Sequence, residues 1–248
     1  MTAADKTLAV LYALGEHSSL AEISDATGLS KPTTHRILKT LAEHGFAQVD
    51  GRGRYAGGPR VLTLAGRLLA QLDPAEEADH TVRSLNAETG LTVHLGAYSG
   101  DEVIYIAKLA APAPYQMPSR VGMSICLHST AIGKAILATL GDEEAARVSA
   151  RTGLEPRTPK TITDLSELLE QLAEIRARGY AIDDEENEPK ILCVGAAIND
   201  HAGRVMGGVS LSWLSFETPA FTVPQLGRRV VAAADAISAR LGAPSRPR

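Results

Sequence analysis

Hydrophobic residues recur at helical spacing in three short segments at the start of the chain, and two alternating segments follow them. Gly28 ends the second helical pattern, and Ser30 is placed to cap the third. Helix, helix, turn, helix and hairpin is the element order of a winged helix-turn-helix domain. The pattern predicts helices over residues 5–16, 20–27 and 31–43, and strands over residues 46–50 and 54–57.

The third predicted helix has one apolar and one basic side. Thr34, Ile37, Leu38 and Leu41 are spaced to form its buried stripe, so the opposite side faces solvent. Between residues 30 and 60 there are six basic and two acidic residues, although the whole chain carries a net charge of -4. Basic residues are common on the solvent-facing side of any amphipathic surface helix, so they do not by themselves indicate DNA binding. Here a basic hairpin follows the helix, and this combination favours DNA binding. The residues expected at DNA are Lys31, Thr33, His35, Arg36 and Lys39 on the helix, and Arg52 and Arg54 on the hairpin.

A strongly apolar helix is predicted after this unit, over residues 61–72. Its wide apolar stripe is interrupted only by Arg67, so we expect it to pack against a partner, most simply a second copy of the chain. A homodimer would present two recognition helices to the half-sites of a palindromic or pseudo-palindromic operator in double-stranded DNA. The predicted domains are a winged helix-turn-helix domain over residues 1–60, a linker helix over 61–73 and a second domain over 74–248.

The second domain mixes helices, strands and hairpins, which is typical of an α+β sheet domain. No glycine-rich loop for a dinucleotide or phosphate is present, so no cofactor is expected. Helices are predicted over residues 74–89, 131–140, 143–151, 165–178 and 219–241, and strands over residues 91–98, 102–109, 180–183, 191–198 and 204–212.

Composition narrows the class of protein. The chain has 248 residues with a mean hydropathy of -0.03, and no apolar run reaches the roughly 18 residues that a membrane span needs. The first residues do not show the pattern of a secretion signal. Two cysteines are too few for a disulfide framework, so we expect a cytoplasmic protein without a membrane partner.

The strand patterns also predict a pocket. Alternation places Gly208, Ser210 and Ser212 on one face of their strand, and Cys193 on the same face as Gly195 of another. Small residues beside hydroxyls and a thiol leave space with weakly polar walls. Ser129 and Thr130 precede a helix whose first amides, those of Ala131 and Ile132, are unpaired donors suited to an anion.

Three ordered blocks of sequence, residues 127–138, 178–186 and 196–205, resemble the effector domain of IclR-type transcriptional regulators, and residues 28–36 fit the winged helix of the same family. The resemblance implies a GAF-like sensor domain, control of DNA binding by a small molecule, and dimers that often pair into tetramers. Repression is the expected action, since it is commoner in the family. The effector-binding positions that the resemblance implies are Ile125, Ala131, Ile132, Asp183, Cys193, Ser210 and Ser212.

The implied site suggests a ligand class. A carboxylate bound at the helix amides would be repelled by Asp183 unless the ligand offers it a hydroxyl group or a bound proton. We therefore expect a small hydroxy or keto acid or a related polar metabolite.

Local sequence leaves other interpretations open. Ser129 and Thr130 could be only helix caps, Cys193 a small buried hydrophobe, and Asp183 part of a solvated acidic loop. An enzyme could use Cys126 as nucleophile with His128 and Asp183, but nothing indicates an activated thiolate, so no catalytic residue is predicted. A metal or redox sensor could use Cys126, His128 and Cys193 with Asp183, although the sequence has no CxxC or His-pair spacing, so no metal ligand is predicted.

Overall fold

The computed structural model describes residues 1–69, 73–112 and 117–244 and divides the chain into two compact units, Met1–Leu72 and Asp73–Arg248. Among the described residues, no helix combines the length and the apolar character needed to cross a bilayer.

The first unit contains the predicted helices and hairpin. Two of its helices start with capping boxes, in which Thr2 pairs with Asp5 and Ser19 with Glu22. The apolar sides of all three helices meet in one small core around Val10, Ile23 and Leu38. The elements are α1 (Ala3–Ala13), α2 (Leu20–Thr27), α3 (Lys31–Glu43), and the antiparallel strands β1 (Ala47–Val49) and β2 (Tyr55–Gly57).

A sharp turn joins α2 to α3. Gly28 ends α2 with φ 64°, a left-handed conformation that glycine adopts without steric cost. Ser30 is the N-cap residue of α3 as predicted, but its hydroxyl lies 2.9 Å from Thr33 Oγ1 and does not bond to a helix amide. Pro32 at the start of α3 fits the first turn because that turn's amides need no intrahelical acceptor.

The helix after the hairpin, α4, spans Pro59–Leu69 and thus begins two residues before the predicted start. Proline suits a first helical position because its fixed φ matches the helix. Leu62 is 75% exposed, and Leu64 is also exposed. The predicted end of this helix, at residues 70–72, lies outside the described residues.

The second unit is built on one curved sheet with helices on both faces. Six strands of its described residues pair in the order β5-β4-β3-β8-β7-β6, and each neighbouring pair is antiparallel. They are β3 (Thr92–Tyr98), β4 (Val103–Leu109), β5 (Ser124–Ile125), β6 (Ala181–Asp184), β7 (Ile191–Asn199) and β8 (Val205–Leu214). The helices are α5 (Pro74–Thr89), α6 (Ala131–Leu140), α7 (Asp142–Thr152), α8 (Leu165–Arg178) and α9 (Val223–Arg240).

Alternation along the strands separates the two faces. Gly195 and Gly208 lie under the start of α6, where a Cβ atom would meet Ala131 and Ile132. Val209 and Leu211, of opposite parity, are fully buried on the face that α5 and α9 cover. The α+β fold class, with its helix-turn-helix unit and sheet domain, is confirmed.

The first helix was expected over residues 5–16 but spans Ala3–Ala13, because the capping box of Thr2 and Asp5 sets its start. Two further details of the sequence-based elements were wrong. The strand β5 was not predicted, because two residues are too few for a pattern and it exists only by pairing with Val103 and Ile104. The last helix was expected from residue 219 but begins at Val223. There Thr222 and Gln225 form a capping box, which fixes the helix start.

Candidate functional site

The outward side of α3 carries exposed polar residues. His35, Arg36 and Lys39 are exposed, whereas Thr34 and Leu38 are fully buried beneath them. Lys39 lies 4.0 Å from Glu43, and both side chains are exposed, so this pair restrains the lysine weakly. Lys31 is exposed and Thr33 half-buried at the N-terminal end of the same helix. The arrangement leaves the basic groups available to a phosphate backbone.

The hairpin turn is shaped by Asp50, whose Oδ1 accepts hydrogen bonds from the backbone amides of Arg52 and Arg54, each at 2.9 Å. The Arg52 side chain is exposed. The guanidinium of Arg54 instead donates two hydrogen bonds to Ser18 Oγ, one of them from Nε at 3.0 Å. In this structure Arg54 fastens the hairpin to the segment before α2. Its contact with DNA stays a prediction, and we expect it to contribute less to DNA binding than Arg52.

A cavity of about 40 Å³ lies in the second unit between the sheet and the start of α6. Strand pairing places its side chains next to one another, with Asp183 opposite Cys193, Cys193 opposite Ser212, and Gly195 opposite Ser210. The seven residues predicted to bind an effector all line this cavity: Ile125, Ala131, Ile132, Asp183, Cys193, Ser210 and Ser212.

The first turn of α6 forms one wall. Thr130 caps the helix by accepting a hydrogen bond from the Gly133 amide at 3.0 Å, and its hydroxyl donates to the Cys126 carbonyl at 2.7 Å. The backbone amides of Ala131 and Ile132 lie in the first turn of α6, so they have no hydrogen-bond acceptor within the helix. They also lie at the positive end of the helix dipole. None of the described residues that line the cavity is a lysine or an arginine. These amides are thus the donors best placed for an anion.

Asp183 faces the cavity from β6 and is only 3% exposed. Its Oδ1 accepts hydrogen bonds from the backbone amides of Glu186 at 2.8 Å and Asn187 at 3.3 Å. Burial raises the pKa of this carboxyl to about 7, against the lowering effect of those amides and of Lys134. Asp183 can therefore donate or accept a hydrogen bond near neutral pH, and it is not part of a solvated acidic loop.

Cys193 is next to Asp183 on the neighbouring strand. Its removal from water and the nearby Asp183 carboxylate raise the pKa of the thiol well above its usual value. The side chain is therefore a neutral thiol at physiological pH, which suits a weakly polar wall and not a nucleophile.

Sequence reasoning missed His94, which lies on β3 in the same cavity. Its Nε2 is 2.8 Å from Ser119 Oγ, its Nδ1 is 3.4 Å from Ser212 Oγ, and its ring stacks on Tyr105 with 4.6 Å between centroids. Burial, with the charge of Lys108, lowers the pKa of His94 to about 3, so the ring is neutral. The sequence did contain a signal for this position, because His94 lies two residues from both Thr92 and Gly96 along the predicted strand and so shares a face with them.

The residues proposed for a metal or catalytic centre do not converge. His128 Nε2 is 3.0 Å from the Glu155 carbonyl, and Cys126 Sγ is 4.0 Å from the Arg157 guanidinium, so both residues have partners away from the cavity. Within the part of the chain that the structure describes, no three His, Cys, Asp or Glu residues are grouped to hold a metal ion. The tetrahedral set that the metal alternative requires is therefore not formed.

Two family models match the chain. The IclR helix-turn-helix domain matches residues 3–51, and the bacterial transcriptional regulator IclR C-terminal domain matches residues 66–239. The chain belongs to the IclR family. Like its family relatives, it is a DNA-binding transcriptional regulator, as the sequence predicted.

Family members match nearly the full length of the chain. The HTH-type transcriptional regulator XynR of Escherichia coli (strain K12) is 32% identical over 97% of each chain. The crystal structure of Thermotoga maritima IclR is 33% identical, with a TM-score of 0.65 over 96% of this chain and 98% of that one. The Agobacterium tumefaciens repressor BlcR is 30% identical, with a TM-score of 0.75 over 98% of each chain.

Proposed function

We propose that this IclR-family regulator is a repressor whose operator binding is controlled by a small hydroxy or keto acid in the second unit. It acts on operator DNA in the cytoplasm and has no catalytic role. Two similar proteins carry the word repressor in their names, the Escherichia coli AllR and the Agobacterium tumefaciens BlcR. The observation that carries the proposal is the cavity in which helix amides face a protonatable carboxyl group.

The cavity chemistry supports an acid with a second oxygen. The acid group would accept hydrogen bonds from the Ala131 and Ile132 amides, where the helix dipole offsets its charge. The second oxygen of the ligand would contact Asp183. The Asp183 carboxyl group can accept a hydrogen bond from a hydroxyl group when it is ionised and can donate one to a keto oxygen when it is protonated. Ser210 and Ser212 would complete the polar wall, and Ile125 and Cys193 the less polar one.

The size of the cavity limits the ligand. A volume of about 40 Å³ is a few times the roughly 10–15 Å³ that one water requires. Acids of two to four carbons are therefore the first candidates, and longer acids would need the surrounding loops to move.

DNA recognition is proposed for Lys31, Thr33, His35, Arg36 and Lys39 on α3 and for Arg52 on the hairpin. A homodimer, with dimers that pair further into tetramers, would set two such helices on a two-fold operator. The exposed Leu62 and Leu64 of α4 are suited to that contact, since large exposed apolar side chains on one helix favour association. The proposed domains are residues 1–60 for DNA binding, 61–73 as linker helix, and 74–248 for effector binding and oligomerisation.

A thermal-shift screen tests the effector class. Purified protein is screened against glycolate, lactate, glyoxylate and pyruvate, with aromatic and sugar acids as the comparison classes. We expect a two- to four-carbon acid to raise the melting temperature and to change operator affinity in a titration. Operator DNA is obtained by selection from genomic fragments.

Matched variants locate the effect. Ser210→Ala should remove the shift, while Ser149→Ala should retain it, because Ser149 is also buried, on α7 and outside the cavity, and its hydroxyl has no partner among the described residues. If none of the acids raises the melting temperature, and if a chelator or a reductant changes operator affinity, the results would instead support a metal or redox sensor.

A further inference from the structure

One loop next to the start of α6 forms part of the cavity wall. It joins β6 to β7 over residues 185–190, and its Asn187 and Glu188 line the cavity. Glu185 and Lys190 have φ values of 60° and 67°, in the left-handed region that residues other than glycine adopt at a cost. The loop conformation must therefore be held by its surroundings.

A buried ion pair holds the middle of this loop. Lys134 Nζ lies 2.5 Å and 2.6 Å from the two carboxylate oxygens of Glu186, and the two side chains are 0% and 6% exposed. We call Lys134 and Glu186 the anchor pair. Lys134 belongs to the first turns of α6, three residues after Ala131, so the pair connects the loop to the helix that offers its amides to the cavity.

The anchor pair also reaches Asp183. The Glu186 backbone amide donates to Asp183 Oδ1 at 2.8 Å, while Glu186 Oε1 accepts from the Asp184 amide at 3.3 Å. A continuous set of bonds thus runs from Lys134 through Glu186 to the carboxyl group that faces the ligand space. The loop, α6 and Asp183 are therefore held together by these bonds.

Stability alone does not account for such a pair. Removing two charges from water costs much of what their attraction returns, and apolar pairs of similar volume often replace buried ion pairs without loss of stability. Leu137, Leu168 and Leu172 already form an apolar core around α6 and α8. An ion pair fixes both the distance and the direction between two side chains, whereas an apolar contact fixes neither closely.

We propose that Lys134 and Glu186 are positioning residues, which fix the 185–190 loop and Asp183 in the geometry that accepts the effector and tie that geometry to α6. The inference rests on the proposed function of the cavity. It assigns neither residue a direct contact with the ligand.

Amide hydrogen exchange of the full-length protein tests the anchor without any ligand. In Glu186→Gln and in the double variant Lys134→Met/Glu186→Met, we expect the backbone amides at positions 186 and 187 to exchange at least about tenfold faster. Amides of β3 and α9 should keep their rates, and the double variant should melt within a few degrees of the unaltered protein. The loop would then be released while the fold is retained.

Lys160→Met is the matched control. Lys160 pairs with Asp184 and Glu185 from the exposed side of the same loop, at 3.2 Å in each case, so it tests a salt bridge that solvent screens. We expect smaller changes in loop exchange there than in either anchor variant. Unchanged loop exchange in both anchor variants, or equal acceleration throughout the second unit, would overturn the positioning role.

A ligand measurement separates this inference from the proposed function. With pyruvate as the probe, calorimetry should show at least about tenfold weaker binding to the double variant than to the unaltered protein, and a change under threefold for Lys160→Met. Equal pyruvate affinity in the double variant would overturn the positioning role. If the unaltered protein binds none of the small acids, the proposed effector class fails, and the exchange experiment still decides the anchor pair.

Discussion

At the scale of single residues, the charge of Asp183 is controlled by the fold. Its pKa is about 7 in the folded chain and near 3.8 in the unfolded chain, which therefore releases this proton at lower pH. The contribution of Asp183 to the free energy of unfolding consequently falls as pH rises from about 4 to about 7 and then levels. Asp183→Asn should remove this contribution, so the variant gains stability relative to the unaltered protein by up to about 1.4 kcal/mol per pH unit.

Urea unfolding at pH 5, 6, 7 and 8 measures that difference. Asp184→Asn is the control, because Asp184 follows on the same strand but its side chain is 60% exposed. Parallel stability curves for Asp183→Asn and the unaltered protein over this range would contradict the assignment.

A second residue-scale prediction concerns the close approach of β7 to α6. A Cβ atom on Gly195 would lie 2.8 Å from the Ala131 carbonyl carbon and 2.9 Å from the Ile132 amide nitrogen. Gly195→Ala should therefore displace the start of α6, destabilise the fold by about 1–3 kcal/mol, and abolish binding of the small acid found in the screen. Denaturant melts and calorimetry check both effects.

Gly66→Ala serves as the comparison for that substitution. A Cβ at Gly66 in α4 meets nothing within 4 Å, so the change should be neutral or slightly stabilising. Acid binding retained in Gly195→Ala would show that the α6 amides are not part of the binding site.

The sequence was enough to predict which residues of one strand share a face. It was not enough to predict which residues distant in sequence contact one another. Period-two alternation was enough to put Ser210 and Ser212 on one face. His94 and Ser212 are 118 residues apart, and Lys134 and Glu186 are 52 apart, so only the sheet order and the packing of α6 bring them together.

At the scale of elements, the helices with a clear 3.6-residue period were predictable, since α2 and α5 have the expected bounds. The hairpin was also predicted, but the side-chain direction of Arg54 was not, because its partner Ser18 precedes it by 36 residues. Short pairing segments such as β5 have no period of their own, which is why the sheet order needed the structure.

The hairpin therefore makes a discriminating prediction. Arg52→Ala should weaken binding to all DNA sequences and lower the salt slope of binding by about one unit per lost phosphate contact. Arg54→Ala should leave the salt slope nearly unchanged and lower the stability of the first unit, because it removes the bonds to Ser18. Operator titrations at several salt concentrations separate the two, and equal salt slopes for these two variants would refute the distinction.

The recognition helix is tested in the same titrations. Arg36→Ala should cost about 1–3 kcal/mol on the operator if it reads a base, and Lys39→Ala should act on all sequences alike. Arg83→Ala on α5 is the control, because Arg83 is exposed in the second unit and paired with Asp79 at 2.8 Å. Operator binding unaltered in Arg36→Ala and Lys39→Ala would move the interface away from α3.

At the scale of the whole molecule, a regulator needs its two sites to influence one another. An effector changes operator affinity only by the difference in its affinity for the two functional states, typically about 1–3 kcal/mol. Thermodynamic linkage then requires the operator to change effector affinity by the same factor. For the acid found in the screen, we expect its dissociation constant to change about 5- to 150-fold when operator DNA is saturating. The affinity of the protein for the operator should change by the same factor, and in the same direction, when the acid is saturating.

Calorimetry of the acid with free protein, with operator-bound protein and with protein mixed with a scrambled duplex measures this coupling. The scrambled duplex should leave acid affinity unchanged, because it does not select the operator-bound state. The anchor-pair variant Lys134→Met/Glu186→Met should keep operator affinity while its acid affinity falls, since it alters the cavity and not α3. Operator affinity that responds to the acid while acid affinity ignores the operator would violate linkage and would show that the acid acts elsewhere, for example on the DNA.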